Sequence, residues 1–183
     1  MKTLNELSKE VHANAVEKGF WDNNPSNEHC LMMVITELVE TIEADRIGKR
    51  ADRFCFENSL INAFQGIIRP DWFLYCYNCC IKNTVEDELA DAFIRLLDLA
   101  GARNLNVNRL LTVFPNMKKP FTENIFGICK EIAFYKYSIE ERVNYAMLSI
   151  LALCEYMKID LSWFVYQKMR YNSFRPVMHN KKY

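Results

Sequence analysis

The strongest helix signal in the chain is the run VEDELADAFIRLLDLAG at residues 85–101. Its apolar residues recur every three to four positions, which predicts an amphipathic helix. Thr84 precedes the run and Asp87 follows three residues later, a variant of the capping box that opens a helix. We therefore predict a helix from Thr84 to about Arg103. One arc of its helical wheel carries the charged residues Glu88, Asp91, Arg95 and Asp98.

A second acidic run, ITELVETIEADR at residues 35–46, has the same spacing of carboxylates. Glu37 and Glu40 are three residues apart, as are Glu88 and Asp91. Residues with this spacing lie on neighbouring turns of one helix face. Four converging carboxylates suit a hard cation such as Mg²⁺, which commonly keeps phosphate oxygens among its ligands. The two runs therefore indicate a metal site for phosphate chemistry.

The same pattern has an ordinary structural explanation, which is a solvated helix face. Charged residues at helical spacing are common on such faces. Asp91 and Arg95 also have the i, i+4 spacing of a surface ion pair. On spacing alone the solvated face is the commoner interpretation, so the metal site needs support from other parts of the chain.

Composition and charge exclude several classes of function. The 183 residues are half hydrophobic and one quarter charged, which is typical of a globular chain with a sizeable core. Acidic and basic residues balance at 23 each, which argues against a general nucleic-acid binder. The polar N-terminus does not resemble a signal peptide, and the longest apolar run is too short to span a bilayer. We expect a cytoplasmic protein without a membrane partner.

The seven cysteines predict reduced thiols. Their number is odd and they are scattered through apolar segments, which does not fit a disulfide framework. Cys76, Cys79 and Cys80 contain one CxxC pair, but no second pair of ligands at zinc-site spacing accompanies it. We expect a cysteine cluster without metal.

Capping signals divide the N-terminal half into helices. Thr3 with Glu6 predicts a helix that stops at Gly19, and a longer helix is expected over residues 27–48. Residues 49–83 predict one or two shorter helices, interrupted by Gly66 and Pro70, that are inserted between the acidic runs. The buried stripe of the second helix is predicted to be Leu31, Val34, Ile35, Leu38 and Ile42, with Glu37 and Glu40 off that stripe.

Three more helices are predicted in the C-terminal half. We expect Thr122 to cap a helix to about residue 135, Ser138 with Glu141 to cap one to about residue 158, and Asp160 to cap one to about residue 171. Alternating strand patterns are nearly absent, so the fold class is an all-α bundle. The predicted core positions are Ile125, Ile128, Ile132, Met147, Ile150, Leu151 and Cys154.

Several motifs in one order resemble the all-α nucleoside triphosphate pyrophosphohydrolases of the MazG-like superfamily. That family has an ExxE pair on one helix and an ExxD pair on a later helix, matched here by Glu37/Glu40 and Glu88/Asp91. AVEKGFWD at residues 15–22 is similar to the segment before its first acidic helix. KMRYNSFRPVMHNKKY, at the C-terminus, is similar to the family ending. The resemblance spans about residues 7–183.

This resemblance implies a single MazG-like domain over residues 1–183 that cleaves a nucleoside triphosphate to the monophosphate and pyrophosphate. Glu37, Glu40, Glu88 and Asp91 would bind Mg²⁺, or Mn²⁺ in its place. Nucleotide-pool housecleaning is the implied role, and a homodimer or homotetramer the implied assembly. A non-catalytic nucleotide-sensing or interaction module on the same fold stays open as the alternative.

The resemblance also implies residues that contact the substrate. Lys168, Arg175 and Lys181 would bind the triphosphate, in a C-terminal stretch from residue 161 that has no Asp or Glu. Asn172 lies one turn after Lys168 and would bond phosphate or ribose; His179 would bond phosphate.

An aromatic pair near the N-terminus is a candidate for the base. Phe20 and Trp21 follow the predicted end of the first helix, where an aromatic ring can stack on a base. Core filling is the competing explanation for both residues.

Three features depart from the family pattern. The spacer between Glu40 and Glu88 is longer than usual, the closing His-Gly-Lys is replaced by residues 179–181 with Asn180 in the middle, and residues 116–158 add a helical hairpin.

The sequence excludes two other classes of protein. A ferritin-like di-iron site needs Glu-x-x-His pairs, an HD-type phosphohydrolase needs adjacent His-Asp, and the sequence contains neither.

Overall fold

The computed structural model describes residues 2–61, 69–107, 115, 117 and 119–177. In these ranges the chain forms α-helices and no strand, which confirms the predicted all-α fold. The helices are α1 (Leu4–Glu17), α2 (Asn27–Arg46), α3 (Arg53–Ile61), α4 (Pro70–Cys80), α5 (Val85–Ala102), α6 (Phe121–Ala133), α7 (Ile139–Tyr156) and α8 (Leu161–Ser173).

Helix α5 lies at the centre of the bundle and packs against α1, α2, α7 and α8. It carries apolar residues on several sides, and Leu89, Leu96, Leu97 and Leu99 are all completely buried. A helix enclosed in this way cannot present a broad solvated face. The packing therefore draws part of its charged arc into the protein, against α2 and α8.

Most of the predicted helix ends are confirmed. The capping boxes of Thr3 with Glu6 and of Ser138 with Glu141 are both complete, and the side chain of Asp160 accepts a hydrogen bond from the Trp163 amide. Gly19 and Gly48 follow α1 and α2 with φ of +80° and +66°. Glycine adopts this left-handed conformation at little cost, so both residues end their helices.

The predicted cap of α6 was wrong. This helix begins at Phe121 with Pro120 as its N-cap residue, and no side chain caps it, so Thr122 already lies in the first turn. Asn124 organises the entry instead, because its amide donates to the carbonyls of Met117 and Lys119 at 3.1 and 2.9 Å. The proline also supplies a backbone φ suited to the start of a helix.

Two helices form in the described part of residues 49–83, and they belong to the core. Pro70 starts α4 rather than interrupting a helix, as proline does in a first turn. Phe56, Phe73 and Tyr77 are fully buried and contact one another through their rings. The Asp52 amide donates to the carbonyl of Cys80, which joins the start of α3 to the end of α4.

The α6–α7 hairpin supplies much of the remaining core, with α6 packed on α2 and α7 on α5. Of the core positions predicted there, Leu151 is only partly buried and the others are buried. In α2, Leu31, Val34 and Leu38 are buried while Ile35 and Ile42 are partly buried.

All seven cysteines are free thiols, and Cys76, Cys80 and Cys154 are buried. Within the described residues, no helix combines the length and the apolar character that crossing a membrane requires.

Candidate metal centre

Three carboxylates from α2 and α5 converge at the contact between these helices. Glu37, Glu40 and Glu88 each offer one oxygen, and these oxygens lie within 4.8 Å of one another. Glu37 and Glu88 are only 3% and 4% exposed, whereas Glu40 is exposed. Glu37 was predicted to lie off the buried stripe, but the packing of α5 on α2 covers it. Three of the four predicted ligands are thus brought together.

Asp91, the fourth predicted ligand, lies outside this three-carboxylate group. Its Oδ2 is 3.0 Å from Nζ of Lys168, which reaches in from α8. The same ammonium is 2.9 Å from Oδ1 of Asp87. Lys168 is only 4% exposed, so it is an internal cation beside the carboxylates rather than a solvent-facing residue.

Arg95 links the two acidic helices. Its Nε and Nη2 bind the same oxygen, Oε1 of Glu37, at 2.6 and 2.5 Å. Both contacts are charge-assisted, so they hold the carboxylate in one orientation. The guanidinium engages Oε1 of Glu37, and this also fixes the position of the second carboxylate oxygen.

Burial and neighbouring like charges disfavour ionisation of two carboxylates in the cluster. Burial is the main reason that the pKa of Glu88 is raised to about 9; Lys168 opposes the shift, and the carboxylates of Asp87, Asp91 and Glu37 add to it. Burial also raises the pKa of Glu37, with a further contribution from Asp91. Without a metal, Glu88 therefore holds a proton at neutral pH, and a divalent cation would displace that proton.

Asp87 is fully buried, and its carboxylate accepts three hydrogen bonds. It accepts from the Tyr77 hydroxyl, from the Asn83 amide at 2.9 Å and from the Lys168 ammonium at 2.9 Å. Thr84 accepts from the Asp87 amide, which confirms Thr84 as the N-cap. The reciprocal half of the predicted capping box is wrong, because the Asp87 side chain is taken by these three donors.

A pocket of about 500 Å³ opens beside the acidic cluster. Its walls come from α1, the α1–α2 loop, α2, α5 and α8. They include Arg95, which binds Glu37, and Asp91, which pairs with Lys168. The volume is within the usual range of small-molecule sites. Four residues that the sequence offers as substrate contacts line this pocket: Phe20, Trp21, Asn172 and Arg175.

The indole of Trp21 is held in place by Asp98. Its Nε1 donates to both oxygens of that carboxylate at 2.9 and 3.1 Å. His12 Nδ1 is 2.9 Å from Asp98 Oδ1, and the imidazole meets the indole edge-on with ring centres 4.9 Å apart. The sequence pattern predicts that Asp98 lies on a polar arc of α5, and in the structure Asp98 lines the pocket.

The C-terminal end of α8 completes the pocket. Asn172 has a buried side-chain oxygen that accepts no hydrogen bond from the described part of the chain. The guanidinium carbon of Arg175 is 5.8 Å from the ring centre of Tyr171. Lys18 donates to the carbonyls of Ser173 and Arg175 at 3.0 and 2.7 Å, which ties this end of α8 to α1. The predicted residues His179 and Lys181 lie outside the described residues.

Comparison of the chain with models of known families, with curated proteins and with solved structures finds no match. The MazG-like assignment therefore stays a prediction that rests on the sequence motifs. The chemistry of the site has to be argued from its own residues.

The sequence pattern missed the residues that support the centre from behind. The spacing of Asp87 predicts only a capping residue, the spacing of Arg95 predicts only an ion pair with Asp91, and no sequence signal indicates Tyr77. One signal was available: the charged arc of α5 belongs to a helix with many apolar residues on its remaining surface. Such a helix is enclosed by its neighbours, so charges on it require buried partners.

Proposed function

We propose that this protein is a Mg²⁺-dependent nucleoside triphosphate pyrophosphohydrolase that converts a (d)NTP and water to the (d)NMP and pyrophosphate. One observation carries the proposal: Arg95 lines the pocket that contains Trp21 and also binds Glu37, a member of the three-carboxylate group that could hold a cation. This arrangement suits a ligand with an aromatic base at one end and a chain of phosphates at the other.

The residues fit magnesium. Glu37, Glu40 and Glu88 would hold the ion through carboxylate oxygens, the ligands that hard cations prefer, and Mn²⁺ accepts the same donors. When bound, Mg²⁺ supplies charge neutralisation for the phosphate oxygens and acidifies the attacking water. Asp91 is the natural fourth ligand, since it lies one turn after Glu88 and raises the pKa of both Glu37 and Glu88.

The chain's own residues would carry out the remaining steps. A carboxylate of the cluster takes a proton from a water molecule while the oxygen of that water bonds to phosphorus. The phosphoanhydride bond between the α and β phosphates breaks, and its electron pair leaves with pyrophosphate. Lys168 and Arg175 balance the charge that develops on this leaving group. Trp21, fixed by Asp98, stacks on the base, and the side chain of Asn172, which lines the pocket, bonds phosphate or ribose.

Product analysis tests this proposal directly. Purified protein is incubated with each NTP and dNTP in Mg²⁺, and the products are separated by ion-exchange chromatography. We expect monophosphate and pyrophosphate in equal amounts, and we expect neither product when a chelator removes Mg²⁺. Glu40→Gln and Glu88→Gln should abolish both products, while Glu43→Gln should not. Glu43 is the matched control, because it lies on the same helix as Glu40, is exposed and pairs with Arg46.

The outcomes separate the alternatives. Turnover that survives in both cluster variants would overturn the proposed metal site. Nucleotide binding without any turnover would instead identify the non-catalytic sensing module. A role in nucleotide-pool housecleaning and assembly as a homodimer or homotetramer belong to the same proposal, and the mass of the protein in solution tests the assembly.

A further inference from the structure

We infer that Asp87 is a positioning residue that keeps the Lys168 ammonium in the site when Asp91 turns to the cation. This inference rests on the proposed function in one respect, namely that Asp91 joins the metal ligands. It assigns the task to a carboxylate outside the three-carboxylate group and to the hydroxyl of Tyr77, which supports that carboxylate.

Lys168 has two partners on consecutive turns of α5. Its Nζ lies 2.9 Å from Asp87 Oδ1 and 3.0 Å from Asp91 Oδ2. Burial disfavours the charged ammonium, but Asp91, Asp87 and Glu88 together outweigh burial and raise the pKa of Lys168. The surrounding carboxylates therefore favour the charged form of the lysine inside the protein.

The two carboxylates differ in what else they can do. Asp91 lines the pocket and is 19% exposed in its side chain, so it can reach a cation there. Asp87 is completely buried and does not line the pocket. A cation bound to Asp91 weakens the attraction between Asp91 and the Lys168 ammonium. The cation also repels the ammonium directly. Asp87 then remains as the partner that keeps Lys168 near the phosphates.

Asp87 is itself held in place from α4. The Tyr77 hydroxyl donates to its Oδ1, and the Asn83 amide donates to its Oδ2 at 2.9 Å. Tyr77 is fully buried and stacks on Tyr171 with ring centres 4.3 Å apart. Tyr171 lies one turn after Lys168 on α8, so α4 braces both the carboxylate and the helix that carries the lysine. Residues of the segment between α2 and α5 thus hold Asp87 in place on the side away from the pocket.

Nuclear magnetic resonance of the lysine ammonium tests the inference in the intact protein. A buried, paired ammonium exchanges its protons slowly and is visible in ¹H–¹⁵N spectra. We expect the Lys168 signal in the wild type both without and with Mg²⁺. In Asp87→Asn we expect it without Mg²⁺ and expect it to be lost when Mg²⁺ is added. Loss of the wild-type signal on adding Mg²⁺, or its persistence in the variant with Mg²⁺, would overturn the inference.

Kinetics give the functional readout. Asp87→Asn should lower kcat about tenfold, because Lys168 acts on the developing charge, and should change KM for the nucleotide less than about twofold. Tyr77→Phe should lower kcat less, since the carboxylate remains. Asp71→Asn is the matched control, because Asp71 is exposed on α4 and pairs with Arg69. If Asp87→Asn had the kcat of the wild type, the inference about Asp87 would be refuted and the proposed function would stand.

The same experiments separate failure of the inference from failure of the proposed function. A wild type that binds Mg²⁺ without hydrolysing any nucleotide would refute the function, while the ammonium signal would still decide the role of Asp87. If Asp87→Asn does not fold, the wild-type signal with and without Mg²⁺ and the Tyr77→Phe variant decide it. Absence of Mg²⁺ binding would overturn both proposals.

Discussion

Arg95 and Glu37 form an ion pair between the two acidic helices, with Arg95 Nε 2.6 Å from Glu37 Oε1. The pair joins residues 58 positions apart in the chain, and the Glu37 side chain is almost fully buried. It orients one carboxylate of the candidate metal group and compensates part of the repulsion among the others. The properties of the centre therefore depend on residues outside the three-carboxylate group.

Replacing Arg95 should weaken metal binding without removing a ligand. Arg95→Lys keeps a positive charge but loses the planar pair of donors that bind Oε1 of Glu37. We expect Mg²⁺ affinity to fall by about tenfold or more, as for other residues that orient a metal ligand. Titration calorimetry with Mg²⁺ alone measures this. Arg46→Lys, at an exposed pair with Glu43 on α2, should leave the affinity unchanged.

Gly101 allows α1 and α5 to approach closely. A Cβ at this position would lie 2.3 Å from the Ser8 carbonyl oxygen and 2.6 Å from Cβ of His12. Backbone cannot move away as cheaply as a flexible side chain, so Gly101→Ala should lower the free energy of unfolding by about 2 kcal/mol. Urea denaturation followed by circular dichroism gives the value.

A second helical glycine provides the control for that measurement. A Cβ added at Gly127 in α6 would have no atom of the described residues within 4 Å, so alanine fits there without a clash. Gly127→Ala should raise the free energy of unfolding by up to about 1 kcal/mol, because alanine is the better helix former. Equal effects of the two substitutions would contradict the close contact between α1 and α5.

The pH dependence of stability should reveal the proton on Glu88. The pKa of Glu88 is about 9 in the folded, metal-free protein and near its ordinary value of 4.5 in the unfolded chain. Between these values the folded state binds more protons than the unfolded state, so its stability falls as pH rises. The stabilising contribution of the protonated group is complete below about pH 4.5 and is lost as pH rises through about 9.

Glu88→Gln isolates this contribution, since glutamine keeps the shape of the protonated acid. We expect the free energy of unfolding of the metal-free wild type to fall relative to that of Glu88→Gln as pH is raised from 5 to 9. Saturating Mg²⁺ should remove the trend in the wild type, because binding displaces the proton. Parallel pH profiles for the two metal-free proteins would show that Glu88 is ionised at neutral pH.

Trp21 should govern nucleotide affinity rather than the chemical step. Trp21→Phe keeps an aromatic ring but loses the hydrogen bonds from Nε1 to Asp98. We expect KM to rise about tenfold with kcat nearly unchanged, the result for an interaction made equally in ground and transition states. Trp72→Phe is the matched control, because it loses a comparable bond to the Ser59 carbonyl outside the pocket. A large fall in kcat would contradict this role.

The helices and their ends were largely predictable because their causes are local. The capping boxes at Thr3 and Ser138 need only residues three positions apart, and the end of α1 needs only Gly19. The cap of α6 was mispredicted because Asn124 reaches back to two carbonyls in the preceding loop, a contact that follows no simple spacing rule.

Local sequence is enough to predict the all-α class, most helix boundaries and the two pairs of acidic residues, since periodicity and capping act within a few residues. Which charges meet depends on how the helices pack. Lys168 and Asp87 are 81 positions apart, and nothing local to either residue indicates the other. Packing around α5 buries these groups, and burial makes unpaired charge so costly that each must find a partner across helices. That requirement pairs Glu37 with Arg95, and both Asp87 and Asp91 with Lys168. The packing of α5 on α2 brings the three carboxylates of the candidate metal group together.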